Sequence, residues 1–243
     1  FGINITHADN VVIKDCRINQ TLRTDSSYAI SIVNSTRVTV QDTNMRIGAF
    51  IGYGVYGEDS DGINVTSLNY TGFDNSIFFS NVNNSVVELS NLTSYDRTGV
   101  WLTDASYNLT IANNYVYIND SGQVGIRLQD APNSSVLENN VTIGSDSVGI
   151  SVLANSNFSI IHANNVSLFE TFVRQGEDSI EIRSHNNNVT FNRIYGNGTY
   201  TDGIILTSGS DYNNVTDNYI EVLNSTGIWL DVDNDYNRIV NNV

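Results

Sequence analysis

A right-handed parallel β-helix of about ten coils, each built from three short strands, is the fold that this 243-residue all-β sequence predicts. Three observations carry it. A short apolar pair, usually led by glycine or another small residue, recurs ten times at an average spacing of 25 residues, from Gly2-Ile3 to Gly227-Ile228. A second apolar register follows about ten residues later and a third five residues after that in all nine complete units, whereas the stretch to the next pair varies from 8 to 14 residues. Asparagine, at 36 of 243 residues, returns at the corner between the second and third registers. A fixed repeat with one constant corner and one variable loop is the signature of stacked units.

The first strand of each unit shows apolar residues two apart, as in Ile3/Ile5, Val100/Leu102, Ile150/Val152 and Ile228/Leu230, with Gly57 the one clear departure. Period two means a strand with one buried face. Its outward positions then read Asn4, Ser31, Tyr56, Phe78, Trp101, Arg127, Ser151, Glu181, Ile205 and Trp229. The second register runs Ile13, Val40, Ile63, Val87, Ile111, Val136, Ile161, Val189, Val215 and Ile239, and the third Ile18, Met45, Leu68, Leu92, Val116, Val141, Val166, Ile194 and Ile220. Parallel stacking at ~4.8 Å per coil gives a rod roughly 50 Å long. A 25-residue period does not suit a hexapeptide solenoid, and a β-sandwich does not repeat one register in every unit.

The corner column reads Cys16, Thr43, Thr66, Ser90, Asn114, Asn139, Asn164, Asn192, Asn218 and Asn242. Such a turn needs a residue tolerant of the left-handed conformation, and stacked amides can donate to one coil and accept from the other. The last six positions are therefore predicted to form an asparagine ladder, a structural device.

Composition removes several functions. With 11 Lys+Arg against 26 Asp+Glu, a net charge of −15 and Lys14 the single lysine, no basic face for nucleic acid can be assembled. No run approaches the ~18 apolar residues of a membrane helix, and one cysteine, Cys16, excludes a disulfide framework or a Cys-rich zinc site. Residues 1–243 read as one domain. Its open first and last coils lead to the expectation of a segment of a longer chain, or of a subunit that associates head-to-tail or laterally.

The unit G-I-x-[LV]…[IV]-x-x-N-x-[IV] resembles the parallel β-helix repeat proteins of the pectate-lyase-like superfamily over nearly the whole chain. It looks most like the branch with NosD-like, carbohydrate-binding and sugar-hydrolase repeats, as in archaeal cell-surface proteins. The resemblance implies the fold and leaves activity open, since this repeat serves lyases, hydrolases, epimerases, adhesins and passive stalks.

In polysaccharide-cleaving members the resemblance places the site on the outward face of the first strand. No two adjacent members of that column are acidic, although glycoside hydrolysis needs a pair of carboxylates. Asp104 and Asp130, at the strand ends, come nearest, and Asp is a common turn residue. For a lyase-type base, Lys14 sits in the first coil and Arg127 and Arg183 lack a neighbouring acidic cluster beyond Glu181; the polygalacturonase-type Asn-Thr-Asp and Gly-His-Gly motifs are absent, and His7, His162 and His185 are scattered. No catalytic residue is assigned. Tyr56, Phe78 and Trp101 share one outward column and are candidates to bind a glycan, a polysaccharide or a protein partner. The longest loop, with Phe169, Phe172 and Arg174, is a further contact candidate. No cofactor is expected apart from calcium, for which Asp59 and Asp61 in one stretch and Asp231, Asp233 and Asp235 in another alternate suitably.

Seventeen Asn-x-Ser/Thr sequons begin at Asn4, Asn19, Asn34, Asn64, Asn69, Asn83, Asn91, Asn108, Asn119, Asn133, Asn140, Asn157, Asn165, Asn188, Asn197, Asn214 and Asn224. Chance placement among 46 Ser+Thr predicts about seven. The excess, the acidity and the missing disulfides lead to the expectation of a non-enzymatic, N-glycosylated extracellular protein: a stalk, filament or surface-layer component with an adhesive role. The alternative on the same fold is a carbohydrate-active enzyme, lyase or hydrolase, or a glycan-binding module.

Overall fold

The computed structural model describes residues 2–20, 27–48, 52–119, 122–144, 146–169, 177–197, 201–207 and 209–243. Among them every regular element is a β-strand, and every strand pairs in parallel with its counterpart one coil away. First and second strands of all ten coils join in one 20-stranded sheet, and the third strands of coils 1 to 9 form a nine-stranded sheet. The first strands are Ile3–Thr6, Ser27–Val33, Gly52–Asp61, Asn75–Asn83, Val100–Thr103, Val124–Leu128, Val148–Val152, Glu177–Ile182, Thr201–Leu206 and Ile228–Leu230.

The first-strand stack of the core runs through coils 2 to 9. Ile30, Val55, Ile77, Val100, Ile126, Ile150, Ile180 and Ile204 lie in unbroken register and are all fully buried. The residue before each is also buried, because the strand turns two consecutive side chains inward. Glycine suits that tight position: a Cβ on Gly149 would lie 2.4 Å from the Ser179 carbonyl oxygen and 2.4 Å from Val166 Cγ1. At roughly 1.5–3 kcal/mol for each fully buried aliphatic side chain, these stacks are the principal stabilisation of a chain without disulfide bonds.

Side-chain amides stack along the corner column at the six asparagines, with bonds both to backbone carbonyls and from one amide to the next. Asn114 Nδ2 donates to the Val87 carbonyl at 2.9 Å and to Asn139 Oδ1 at 3.0 Å, while Asn114 Oδ1 accepts the Ser90 amide at 3.0 Å. The pattern repeats through Asn139, Asn164, Asn192 and Asn218 to Asn242. The left-handed residue, however, is the one before the ladder: Asn113, Glu138, Ala163, Phe191, Asp217 and Asn241 all have φ between 54° and 58°. The ladder amides are selected by hydrogen bonding, not by φ.

Coil 3 departs from the sequence register by two residues. Val65, not Ile63, pairs with Val40 and Val87, and Tyr70, not Leu68, pairs with Met45 and Leu92. Leu68 therefore takes the ladder position assigned to Thr66, and accepts nothing from a side chain there. Three glycines make room: the space a Cβ would fill at Gly54 and Gly72 is occupied by the Tyr70 ring, and at Gly57 by Phe79 and Ile63.

Candidate functional site

Because the small residue and the following aliphatic both point inward, each first strand presents outward positions on both sides of that pair. The position after the pair carries the expected column, with Tyr56, Phe78, Trp101, Arg127, Ser151 and Glu181 in consecutive register. The position before it is a second column, missed when strict alternation is applied. There Tyr28 and Tyr53 pair in coils 2 and 3, and Asp178 and Asp202 pair in coils 8 and 9. The local sequences Asp178-Ser179-Ile180 and Asp202-Gly203-Ile204 held this signal, an acid before the inward pair in two successive units.

Glu181 completes a mixed cluster. It is 5% exposed, accepts Ser151 Oγ at 2.8 Å and is paired with the Arg183 guanidinium. Asp178 is half-buried, and burial, reinforced by the charges of Glu181 and Asp202 and opposed by Arg183, pushes its carboxyl up to about 7. Asp202 stands differently: its Oδ1 accepts both Ser225 Oγ at 2.9 Å and the Thr226 amide at 3.0 Å. Two neighbouring carboxyls thus have unlike surroundings. On the adjoining coils Arg127 lies over the Trp101 ring, 5.1 Å from its centroid, and burial holds it below the ordinary guanidinium range.

The aromatic column is continuous, but its rings face one another. Tyr56 and Phe78 stack nearly parallel at 5.6 Å, Phe78 meets Trp101 edge-on at 5.2 Å, and Tyr28 stacks on Tyr53 at 5.5 Å. All are half-buried, and burial together with Glu58 raises the Tyr56 hydroxyl well above the ordinary phenol range.

The other candidates are dispersed. Asp104 and Asp130 are left-handed turn residues, engaged by Ser80 and Asn155 respectively. Lys14 pairs with Asp42 on the second-strand side. Asp59 and Asp61 accept the Asn81 and Asn84 amides of the next coil, at 2.8 and 2.7 Å. Asp231, Asp233 and Asp235 lie exposed around coil 10. His162 contacts Thr190, His185 Nδ1 accepts the Asp211 amide, and His7 is exposed in a turn. Phe169 stacks on Tyr117, while Phe172 and Arg174 lie outside the described residues. All seventeen sequon asparagines are outside the core, although Asn69, Asn108, Asn165 and Asn214 donate their amides to asparagines of the preceding coil.

This geometry has known counterparts. The sequence profile of the right-handed β-helix region matches residues 1–166. The chain belongs to this family. A second profile, that of the periplasmic copper-binding protein NosD, matches residues 117–221 of the β-helix. The copper in that name finds no donor set here: among the described residues no group of three or more His, Cys, Asp or Glu side chains is arranged to hold a metal. No curated protein sequence matches the chain significantly. Among solved structures, a double mutant of the periplasmic alginate epimerase AlgG aligns with a TM-score of 0.68 at 14% identity, over 99% of this chain and 72% of that one. The A-modules of the Azotobacter vinelandii mannuronan C-5 epimerases AlgE4 and AlgE6 align with TM-scores of 0.51 and 0.50 at 11% and 12% identity, over 96% of this β-helix and 88% and 80% of theirs. At such identities the likeness is one of fold.

Proposed function

We propose that this β-helix protein acts on a polysaccharide laid along its first-strand face, with Asp178 as the acid–base group and Asp202 as its partner carboxylate. The observation that carries the reading is the asymmetry of two in-register carboxyls. Asp178, pushed up to about 7, keeps a proton on about half of the molecules in neutral solution, whereas the Ser225 and Thr226 donors orient Asp202 as an acceptor. Paired groups whose surroundings separate their roles are the usual basis of an acid–base assignment. In register one strand spacing apart, about 5 Å, the pair suits a retaining displacement: Asp178 would protonate the departing glycosidic oxygen while Asp202 attacks the anomeric carbon, and water activated by Asp178 would then release the sugar from Asp202. The fold likeness to alginate epimerases supports a polymer substrate and makes alginate the first to test. With the NosD profile match, it also supports a secreted or envelope location.

Incubation with alginate, polygalacturonate and neutral polysaccharides tests the reading. New reducing ends are expected, and Asp178→Asn should lower their rate by about 100-fold or more. Unsaturated uronates in place of simple hydrolysis products would move the reaction to elimination at the same pair. Absence of any product would leave a second reading, a non-catalytic glycosylated surface solenoid, which is favoured by the position of all seventeen sequon asparagines outside the core.

A further inference from the structure

The rod is acidic overall, with a net charge of −15, yet the outer face of its third strands is not. In coils 1 to 8 the outward positions of that sheet hold no carboxylate, and Glu221 in coil 9 is the first. Three of the eleven basic residues, Arg17, Arg46 and Arg193, stand there. Arg193 is engaged by the Tyr195 and Tyr219 rings, which it overlies at 4.9 and 5.5 Å. Arg17 and Arg46 are not: among the described residues neither side chain has an ion pair, a hydrogen bond or a ring contact. Both line one pocket of about 280 Å³, with Asn19, Asn44, Asn69 and Thr71. Arg17 pairs in register with Asn44 and Asn19 with Arg46, and Asn44 and Arg46 pair in turn with Asn69 and Thr71. The two arginines therefore stand on a diagonal, one coil and two residues apart, with about 8 Å between their Cα atoms. Asn69 Nδ2 donates to Asn44 Oδ1 at 3.0 Å, which leaves its second N–H and the amides of Asn19 and Asn44 as further donors. The corner carboxylates Asp15 and Asp42 are not among the pocket walls, and Asp42 pairs with Lys14.

We propose that this third-strand pocket binds a small phosphate monoester between Arg17 and Arg46. Two guanidinium forks offer two positive charges and only donors. A carboxylate brings one charge and two oxygens, and a single fork satisfies it. A phosphate monoester brings a charge of about −1.5 to −2 and three acceptor oxygens, enough for both forks at once. The pocket is larger than that group needs: at about 30 Å³ for each water it has room for roughly nine. The amides of Asn44 and Asn69 and the Thr71 hydroxyl, which both donate and accept, suit hydroxyl groups on the carbons that carry the phosphate. Carboxylates on the other faces repel an anion, so the carboxylate-free face is where it settles. The proposal is independent of the polysaccharide reading. It concerns another sheet, and coil 3 lies five coil spacings, about 24 Å, from Asp178 in coil 8.

Calorimetric titration with inorganic phosphate, glycerol 3-phosphate, glycerol and acetate tests this, at about pH 8 so that the phosphates are dianions. Asn19 and Asn69 also begin sequons, and a glycan on either would fill the pocket, so the protein titrated is one whose intact mass is that of the peptide alone. Both phosphates should bind saturably at about 1 mM or below, acetate at least about tenfold more weakly, and glycerol not at all. Arg17→Gln and Arg46→Gln should each weaken glycerol 3-phosphate by about tenfold or more, and Arg193→Gln, on the same face but in coil 8, should leave it unchanged. Circular dichroism and melting of each variant establish that the fold is intact. No saturable binding of glycerol 3-phosphate up to about 10 mM, acetate bound as tightly, or full affinity in a folded Arg46→Gln overturns the proposal. An equal loss in Arg193→Gln overturns it too, because the attraction would then belong to the whole face. So does a glycan on Asn19 or Asn69 of the native protein. Polysaccharide cleavage is expected unchanged in Arg17→Gln and Arg46→Gln, and phosphate binding unchanged in Asp178→Asn, so either reading can fail while the other stands.

Discussion

Asn164 shows what one residue does in a solenoid. Its amide donates to the Val136 carbonyl at 2.8 Å and to Asn192 Oδ1 at 3.0 Å, and its oxygen accepts the backbone and side-chain amides of Asn139, both at 3.0 Å. Asn164→Ala would leave buried partners unsatisfied on both neighbouring coils, and should cost about 3 kcal/mol in urea unfolding. Asn164→Ser should cost less, because a hydroxyl keeps the local acceptor role, as Ser90 does for the Leu68 amide at 3.1 Å. Equal losses for the two variants would mean that the inter-coil amide contacts contribute nothing beyond that acceptor. The ladder was legible in the sequence because hydrogen bonding restricts its column to a few residue types. The left-handed residue beside it was not, since residues as different as Glu138, Ala163 and Phe191 fill that position.

At the scale of the strand, the paired inward residues decide both packing and site. Gly149 and Ile150 point inward together, and the column of Gly149 also holds Ala29, Ser76 and Ser179, all fully buried. A Cβ is therefore tolerated in some coils, so Gly149→Ala should cost about 1 kcal/mol. Gly149→Val should cost about 3 kcal/mol, because its branches must displace Val166 and the Ser179 carbonyl. Identical midpoints for the two variants would show that this corner yields freely. The same pairing explains why the candidate site was only half legible. Apolar periodicity located the strands, the core and the Tyr56–Trp101 column, but a strict period of two hides the outward position before the pair. Asp178 and Asp202 occupy it, and only register between coils brings them together. In coil 3, likewise, the exchange of volume between Gly54, Gly72 and Tyr70 cannot be read from alternation alone.

For the whole molecule, acidity and burial combine into a pH dependence. Asp74 is 1% exposed, one carboxyl oxygen is buried without a partner, and burial pushes the group up to about 6 against the Gly52 amide and the Arg97 charge. Asp178 is pushed up to about 7. Both lie above the ~3.9 of an unfolded chain, so the folded state binds these protons more tightly. Their stabilisation is complete below pH ~4 and is lost as pH rises through about 6 for Asp74 and about 7 for Asp178. Self-repulsion in a molecule of net charge −15 acts at all pH values in this range and changes little between pH 6 and 8, where few ordinary carboxylates titrate. The protein should therefore unfold at higher urea concentration at pH 5 than at pH 8. An Asp74→Asn/Asp178→Asn variant, neutral at both sites, should gain about 2 kcal/mol at pH 8 and lose most of the pH dependence. If the double variant keeps the wild-type slope between pH 5 and 8, the dependence belongs to other groups, and the protonated Asp178 invoked for acid catalysis loses its independent support.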